Sequence, residues 1–122
     1  MHSAQTAILS QVELSPGELL VGGTFDATGV TTAIILLPGE FTGNWDDAIA
    51  WAKDQAGDLP NRVEQAMLWA NHRDQFQKDW YWSCEAPESG WAWFQDFRDG
   101  GQLSCYRNDE LRARAVRRLI IQ

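Results

Sequence analysis

The sequence has 122 residues, of which 44% are apolar and 22% are charged, a composition typical of one folded domain (residues 1–122) and not of a disordered chain. It contains no apolar run near the roughly 20 residues that a membrane-spanning helix requires, so we expect no membrane insertion. The net charge of −7 disfavours direct binding to nucleic acid, because contact with phosphates requires a basic surface.

The amino terminus carries no readable export signal. Residues 1–6 contain no basic leader followed by an apolar segment, which is the pattern that a secretory signal would show. We therefore expect a protein that stays in the cytoplasm or leaves the cell only as part of a particle.

The first part of the chain, residues 1–43, predicts strands or an extended arm. Residues 1–16 are weakly patterned, and residues 7–9 and 12–14 predict a short strand or an arm. Residues 18–23 form an apolar run that ends in glycines, and residues 31–37 form a run rich in β-branched side chains. Such runs predict two strands, the second of them buried on both faces. We expect them to form a hairpin around Asp26–Gly29.

Two helices are predicted next. Asn44 can cap the first helix, and Gly57 is its expected end. Asn61 and Glu64 have the spacing of a capping box at the start of the second helix, which is expected to end near residues 71–74. The predicted apolar face of the second helix comprises Val63, Ala66, Met67, Leu68, Trp69 and Ala70.

The carboxyl-terminal half predicts an aromatic-rich antiparallel sheet. Residues 80–82 and 91–97 alternate as strands do, and Asp99-Gly100 is a strong hairpin signal. Alternation places both tryptophans of the first segment on one face and Tyr81 on the other. Trp91 lies at a loop edge and is the tryptophan expected to be most exposed. The fold class is therefore α+β, with two helices covering a twisted antiparallel sheet.

Basic residues are concentrated near the carboxyl terminus. No lysine or arginine precedes Lys53. One interpretation pairs the late arginines with acidic neighbours in the same fold. The alternative is an acidic face that mimics nucleic acid or docks on a basic partner.

We expect four of these arginines to have either a structural role or a binding role. We expect Arg114 and Arg117 to be structural and to fix the last strand. Their expected partner is Glu64 or Asp96. Arg112 and Arg118 are expected to stay exposed, where they can meet an anionic ligand.

Few residues suggest chemistry. Cys84 and His72 are the candidate nucleophile and base, but a cysteine between aromatic residues is more typical of a core position. Cys84 and Cys105 could lie on neighbouring strands, where a disulfide is conceivable, although a chain without an export signal favours reduced thiols. Neither the histidine spacing nor a Cys-x-x-Cys motif indicates a metal site. We expect a non-catalytic protein without a cofactor.

Five segments form an ordered pattern across residues 44–121. They are Trp45 with Ala48, Leu59-Pro60 with Arg62 and Glu64, Tyr81-Trp82-Ser83, Trp93 with Phe97 and Gly100, and Arg114-Ala115-Val116-Arg117. This pattern resembles a bacterial and phage domain family of unknown function that also forms the carboxyl-terminal domain of collagen-like adhesins. Asn61 replaces the family's usual threonine, and Cys84 replaces a serine or threonine.

The resemblance implies a C-type-lectin-like fold, related to sulfatase-modifying enzymes and phage tropism proteins. It also implies a phage or prophage origin, located in the cytoplasm of a bacterial host or in the virion. Adhesin members are implicated in binding sulfated glycans and in trimer formation, so a homo-oligomer is conceivable. The copper-binding cysteine pair of the sulfatase-modifying enzymes is an analogue of Cys84 and Cys105 at the level of the fold alone. Calcium-dependent sugar binding is not expected, because no Glu-Pro-Asn or Trp-Asn-Asp motif is present.

Two functions remain open. A binding module would recognise a protein or glycan through loops 85–90 and 98–103, because loop tips carry most binding sites. The expected binding residues are Glu85, Glu88, Trp91, Arg98, Asp99, Arg112 and Arg118, and the expected structural residues are Glu64, Trp82, Arg114 and Arg117. Alternatively, an intracellular phage inhibitor of a bacterial defence system, of the anti-CRISPR kind, would use an acidic surface to compete with nucleic acid.

Overall fold

The computed structural model describes residues 12–121, and the predicted α+β class is confirmed there. The strands are β1 (Leu19–Phe25), β2 (Thr31–Leu36), β3 (Phe41–Gly43), β4 (Trp80–Trp82), β5 (Trp91–Asp96), β6 (Gln102–Tyr106), β7 (Leu111–Ala113) and β8 (Val116–Ile121). The helices are α1 (Trp45–Asp54) and α2 (Arg62–His72), and a 3₁₀ turn at Arg73–Gln75 follows α2. The strand or arm considered at residues 7–9 lies outside the described residues, and residues 12–14 form no strand.

Strands β1, β2 and β8 form an antiparallel sheet with β2 in the centre. The predicted hairpin is confirmed, because the Asp26 N–H donates to the Val30 carbonyl at 3.1 Å and the Asp26 carboxylate accepts from the Thr28 N–H at 2.9 Å. Residues 33–36 of β2 are buried, as predicted for a strand covered on both faces. A bulge between Leu20 and Gly22 interrupts the register of β1.

The second sheet has five strands in the order β3-β7-β4-β5-β6. The β5–β6 hairpin turns at Asp99-Gly100 as predicted, and Gly100 supplies the left-handed backbone at φ 83°. The prediction of an antiparallel sheet is wrong at one place, because β4 and β7 run parallel with Tyr81 beside Arg112. The long connection through β5 and β6 permits this, since parallel neighbours need a crossover of a dozen or so residues.

The last strand, expected to contain Arg114 and Arg117, does not include Arg114, because the chain passes from one sheet to the other at residues 114–115. Strand β7 ends at Ala113 and β8 begins at Val116. Between them, the Ala115 carbonyl accepts from the Leu37 N–H at 2.9 Å, and Val116 exchanges two bonds of 2.8 Å with Asp58. Backbone bonds to other segments therefore stabilise the change of sheet.

Helix α1 begins as predicted but ends earlier. The Asn44 side chain accepts from the Asp47 N–H at 2.9 Å, which satisfies a free donor of the first turn. The expected end at Gly57 is wrong, because α1 ends at Asp54 and the left-handed residue is Ala56 at φ 60°. Glycine is required at position 57 for close packing of two backbone segments, because a Cβ there would lie 2.5 Å from the Val116 carbonyl oxygen.

Helix α2 has the predicted capping box but a different buried face. Its buried residues are Glu64, Gln65 and Leu68, whereas Val63 is 63% exposed and Ala66 and Ala70 are also exposed. Hydrogen bonds explain the burial of polar groups. The Gln65 amide donates to the carbonyls of Tyr81 and Trp82 at 3.0 and 3.2 Å. The predicted apolar face is therefore right at Met67, Leu68 and Trp69, which belong to or pack against an apolar cluster. It is wrong at the exposed Val63, Ala66 and Ala70, because hydrogen bonding turns Glu64 and Gln65 inward.

Apolar clusters cover both faces of the five-stranded sheet. One contains Trp82 and includes residues of α1, and the other contains Tyr81 and includes residues of α2. Trp80 lies with Trp82, so the predicted alternation is confirmed. Trp82 is fully buried and its indole N–H donates to the Gly43 carbonyl at 2.9 Å. Among the described residues, no helix has the length and apolar character needed to cross a membrane.

Candidate functional site

The two loops expected to bind a ligand lie at opposite ends of β5. Residues 85–90 precede this strand, and residues 98–101 follow it. The six residues of β5 span about 20 Å at the usual rise of a strand. The structure therefore separates Glu85, Glu88 and Trp91 from Arg98 and Asp99.

Arg98 and Asp99 shape the hairpin turn. Arg98 donates to both carboxylate oxygens of Asp96, from Nε to Oδ1 at 2.9 Å and from Nη2 to Oδ2 at 2.7 Å. This pairing lowers the pKa of Asp96. Asp99 Oδ1 accepts from the Gly101 N–H at 2.9 Å. Both residues are thus engaged in holding the turn.

The other end of β5 carries acidic residues from three segments. We call this region the acidic end and define it as Asp46, Asp47, Glu88, Asp109 and Glu110. The Arg107 N–H donates to the Gly90 carbonyl at 3.0 Å, and the Trp45 N–H donates to the Arg107 carbonyl at 2.9 Å. The Arg107 guanidinium pairs with Asp46 and lies 4.8 Å from the Trp45 ring centroid. One arginine therefore joins loop 85–90, the turn after β6 and the start of α1.

An aromatic pair borders the acidic end. Trp91 and Tyr106 are cross-strand partners, and their ring centroids lie 4.5 Å apart. Trp91, expected to be the most exposed tryptophan, is partly buried, whereas Tyr106 is 58% exposed. The more accessible ring of the pair is therefore the tyrosine.

A pocket of about 350 Å³ adjoins the acidic end. Its lining residues are Thr42, Asp79, Trp80, Asp109, Glu110, Leu111 and Arg112. Arg112 is held at its wall by Asp79 at 2.8 Å and Glu40 at 2.7 Å. The hydrogen bond from Arg112 lowers the pKa of Asp79, and the two carboxylates raise the pKa of Arg112. With three carboxylates and one committed arginine, the pocket favours a cationic group.

Arg117 and Arg118 are neutralised inside the molecule. Arg117 pairs with Glu18 at 2.9 Å. Arg118, although expected to stay free for a ligand, donates to Glu64 at 2.7 Å and to Asp58 at 2.9 Å. Glu64 therefore pairs with Arg118 and not with Arg114 or Arg117.

Arg114 stabilises the fold through carbonyl groups. Its guanidinium donates to the Leu37 carbonyl at 2.9 Å and to the Gln75 carbonyl at 2.7 Å. Burial lowers the pKa of Arg114. The structural role expected for this residue is thus met by backbone acceptors, while Asp96 has Arg98 as its partner.

These contacts leave many carboxylates without an ion pair. Seven of the 17 acidic residues form ion pairs with five arginines. Within residues 12–121, the other ten form no ion pair: Glu13, Asp26, Asp47, Asp54, Asp74, Glu85, Glu88, Asp99, Asp109 and Glu110. Arg62 and Arg73 lie over the rings of Trp93 and Trp69. The outward-facing charge is therefore mainly negative.

The residues considered for catalysis are not brought together. Cys84 lies at the start of α2, where its N–H donates to the Pro60 carbonyl, whereas His72 lies at the end of α2 near the Val21 carbonyl. The 11 residues of this helix place them about 16 Å apart. Burial raises the pKa of the Cys84 thiol to about 11, which keeps it protonated near neutral pH.

The two cysteines are free thiols. Among the described residues, no group of three or more histidine, cysteine, aspartate or glutamate side chains is arranged to hold a metal ion.

Sequence reasoning does not identify Tyr106, Arg107, Asp109 or Glu110 as site residues. The turn itself has a local signal, because Asn108-Asp109 after an aromatic strand is typical of a turn. Its contacts with Gly90 and Trp45 are long-range and leave no local pattern.

Comparison with protein-family models gives no match to the chain, and comparison with curated proteins gives none either. The function proposed below accordingly rests on the geometry and charge of the described residues.

Proposed function

We propose that the chain is a non-catalytic binding module that docks on a basic protein surface through its acidic end. The proposal rests on one observation. Five arginines form ion pairs within the fold, while ten carboxylates form no ion pair. An uncompensated acidic surface attracts a basic partner over a Debye length, about 8 Å at physiological salt, and accelerates encounter.

The aromatic pair beside the acidic end gives this surface an anchor. Most of the binding energy of a protein interface comes from a few residues, often tyrosine, tryptophan and arginine, inside a polar rim. Tyr106 is 58% exposed, so a partner's arginine can stack on its ring while Glu88 or Asp109 neutralises the charge. The adjoining pocket of about 350 Å³ has room for a further lysine or arginine side chain.

The test compares two charge-matched variants. Glu88→Lys/Glu110→Lys alters the acidic end, and Asp54→Lys/Asp74→Lys makes the same change in charge at the far ends of α1 and α2. Both variants and the unmodified chain serve as baits in a bacterial lysate, with retained proteins quantified by mass spectrometry. We expect basic proteins on the unmodified chain and the far variant, and at least a tenfold loss on the acidic-end variant. Equal retention by the two variants would overturn the proposal.

A glycan is the second candidate ligand, favoured by the Trp91–Tyr106 pair alone. Aromatic faces bind the apolar faces of sugar rings, but the surrounding carboxylates repel sulfate groups. A neutral or amino-bearing sugar therefore fits this surface better than a sulfated one. Binding to a glycan array that is lost in Trp91→Ala but kept in Glu88→Lys/Glu110→Lys would favour the glycan over the protein partner.

We also propose, as a finer description of the fold, a distant variant of the C-type-lectin-like architecture. It is supported by the order of helices followed by an aromatic sheet and by the pairing of β8 with β2. The parallel β4–β7 pair fits that architecture less closely. An experimental structure with a different strand order would remove this proposal.

A phage-encoded inhibitor of a bacterial defence complex is a more specific form of the same proposal. The groove of a nuclease that holds nucleic acid is basic, so the acidic end is of the right sign to occupy it. The purified chain should then block DNA binding by such a nuclease, and Glu88→Lys/Glu110→Lys should relieve the block. A basic partner without any nucleic-acid function would exclude this form and leave the binding module intact.

A further inference from the structure

Among the edge strands of the described residues, β6 lacks any feature that blocks pairing with another chain. The edges are β1 and β8 in one sheet and β3 and β6 in the other. Strand β1 carries a bulge, β8 carries two arginines and β3 has three residues. Strand β6 has five residues, a regular register with β5 and no charged residue or proline. Natural proteins protect exposed edges with bulges, charges, prolines or short strands.

The hydrogen-bond register shows which groups of β6 face outward. The Asp96 N–H donates to the Gly101 carbonyl at 2.8 Å and the Arg107 N–H donates to the Gly90 carbonyl at 3.0 Å. In an antiparallel pair, bonded and non-bonded positions alternate. The odd-numbered residues of this strand therefore bond to β5, and the backbone groups of Gln102, Ser104 and Tyr106 face away from β5. The Tyr106 carbonyl already accepts from the Asp109 N–H at 3.0 Å and keeps one lone pair for a further donor.

The side chains of β6 also leave apolar surface uncovered. Leu103 is 57% exposed and Tyr106 is 58% exposed. Alternation along the strand places them on opposite faces of the sheet. A strand added at this edge would cover both side chains partly.

We propose that β6 of a second copy of this chain pairs antiparallel with β6, with a twofold axis at Ser104. Under this symmetry Ser104 faces its own equivalent, and Gln102 faces the second copy's Tyr106. All outward-facing residues then occupy bonded positions, so the edge is complementary to itself, as a twofold interface requires. Leu103 lies opposite the second copy's Cys105 and loses exposure.

The charge distribution also favours this β6–β6 contact, which we call the seam. Each chain carries a net charge of −7, which opposes association through most surfaces. The five residues of β6 are uncharged, so the seam itself places no like charges opposite each other. The dimer and the proposed binding surface share Tyr106, but the dimer depends on the backbone of β6 and on Leu103, whereas partner binding depends on the carboxylates of the acidic end. Leu103→Lys and Glu88→Lys/Glu110→Lys therefore test the two proposals separately.

Sedimentation equilibrium over a range of concentrations tests the dimer. Leu103→Lys places a charge at the seam and should weaken dimer formation at least tenfold. Val63→Lys removes an equally exposed apolar side chain (63% against 57%) from α2 and should leave the dimer unchanged. Circular dichroism shows whether each variant is folded. A wild-type chain that is monomeric at all concentrations, or a dimer insensitive to Leu103→Lys, would overturn the proposal.

A cross-link tests the register itself. Directly opposed residues at a bonded antiparallel position have Cα atoms about 5.5 Å apart, which suits a disulfide. Ser104→Cys, in a chain where Cys105→Ser removes the neighbouring thiol, should form a covalent dimer under mild oxidation. Val63→Cys in the same background controls for random collisions. Equal cross-linking of the two variants would contradict the twofold axis at Ser104.

Discussion

Arg118 on β8 donates two hydrogen bonds to the Glu64 carboxylate on α2, from Nε to Oε2 at 2.7 Å and from Nη2 to Oε1 at 2.8 Å. The Glu64 side chain is 3% exposed, and its Oε1 also accepts from the Asn61 N–H of the capping box at 2.8 Å. One carboxylate therefore closes the start of a helix and fixes that helix to the last strand.

We expect Glu64→Gln to lower the free energy of unfolding by about 2 kcal/mol. Removing one partner of a fully buried pair costs about 3–5 kcal/mol when the other charge is left uncompensated, but Arg118 keeps Asp58 as a second partner at 2.9 Å. Arg118 is 31% exposed, and solvent screening reduces the effect. Urea unfolding measures the change, and Glu88→Gln, at an exposed carboxylate without an ion pair, should stay within about 0.5 kcal/mol of wild type. Equal effects of the two substitutions would show that the pair does not stabilise the fold.

The start of α2 could be predicted from the sequence because Asn61 and Glu64 act within one turn. The partner of Glu64 could not be predicted, because several arginines occur in the last segment and the choice depends on where β7 passes into β8. The same limit applies to the buried face of α2. The Gln65 amide bonds to carbonyls of β4, and no local pattern reveals a contact with a strand that follows later in the chain.

The β5–β6 turn should tolerate no side chain at Gly100. This residue has φ 83°, and a Cβ there would lie 2.4 Å from Trp69 Nε1. Gly90 has nearly the same φ, 84°, with nothing within 4 Å of its added Cβ. We expect Gly90→Ala to cost about 1 kcal/mol from backbone strain alone and Gly100→Ala to cost about 1–3 kcal/mol more from the overlap with Trp69. Thermal unfolding of both variants measures the difference, and equal costs would contradict the close packing of Trp69.

The end of α1 should be improved by glycine. Ala56 has φ 60°, a conformation that is unfavourable for a residue with a Cβ. We expect Ala56→Gly to raise the free energy of unfolding by about 0.5 kcal/mol, after the entropy gained by the unfolded chain is subtracted. Ala50→Gly, at an exposed interior position of α1, should instead lower it by about 1 kcal/mol. Destabilisation by Ala56→Gly in urea unfolding would show that Ala56 is not left-handed in solution.

The acidic end illustrates why the candidate site was harder to predict than the strands that carry it. Hairpin β5–β6 follows from alternation and from Asp99-Gly100. The site depends on Arg107, whose backbone joins Gly90 and Trp45, and such contacts between distant segments have no signature in composition. The net charge of the sequence predicts a negatively charged surface but not where it lies. Its location depends on which carboxylates pair with arginines, and only the fold shows those pairs.

Both cysteine thiols should react slowly with alkylating reagents. Burial is the main cause that raises the pKa of Cys84 and of Cys105 to about 11. Because a thiol is neutral below its pKa, a raised pKa reduces the reactive thiolate, to about one part in a thousand near pH 8 against about a quarter for a free cysteine. We expect alkylation by iodoacetamide about 200-fold slower than in the unfolded chain, with a rate that rises about tenfold per pH unit until near pH 11. Rates measured by mass spectrometry that match the unfolded chain would show that the thiols are accessible and unperturbed, and a failure of both to react even after unfolding would reveal a disulfide.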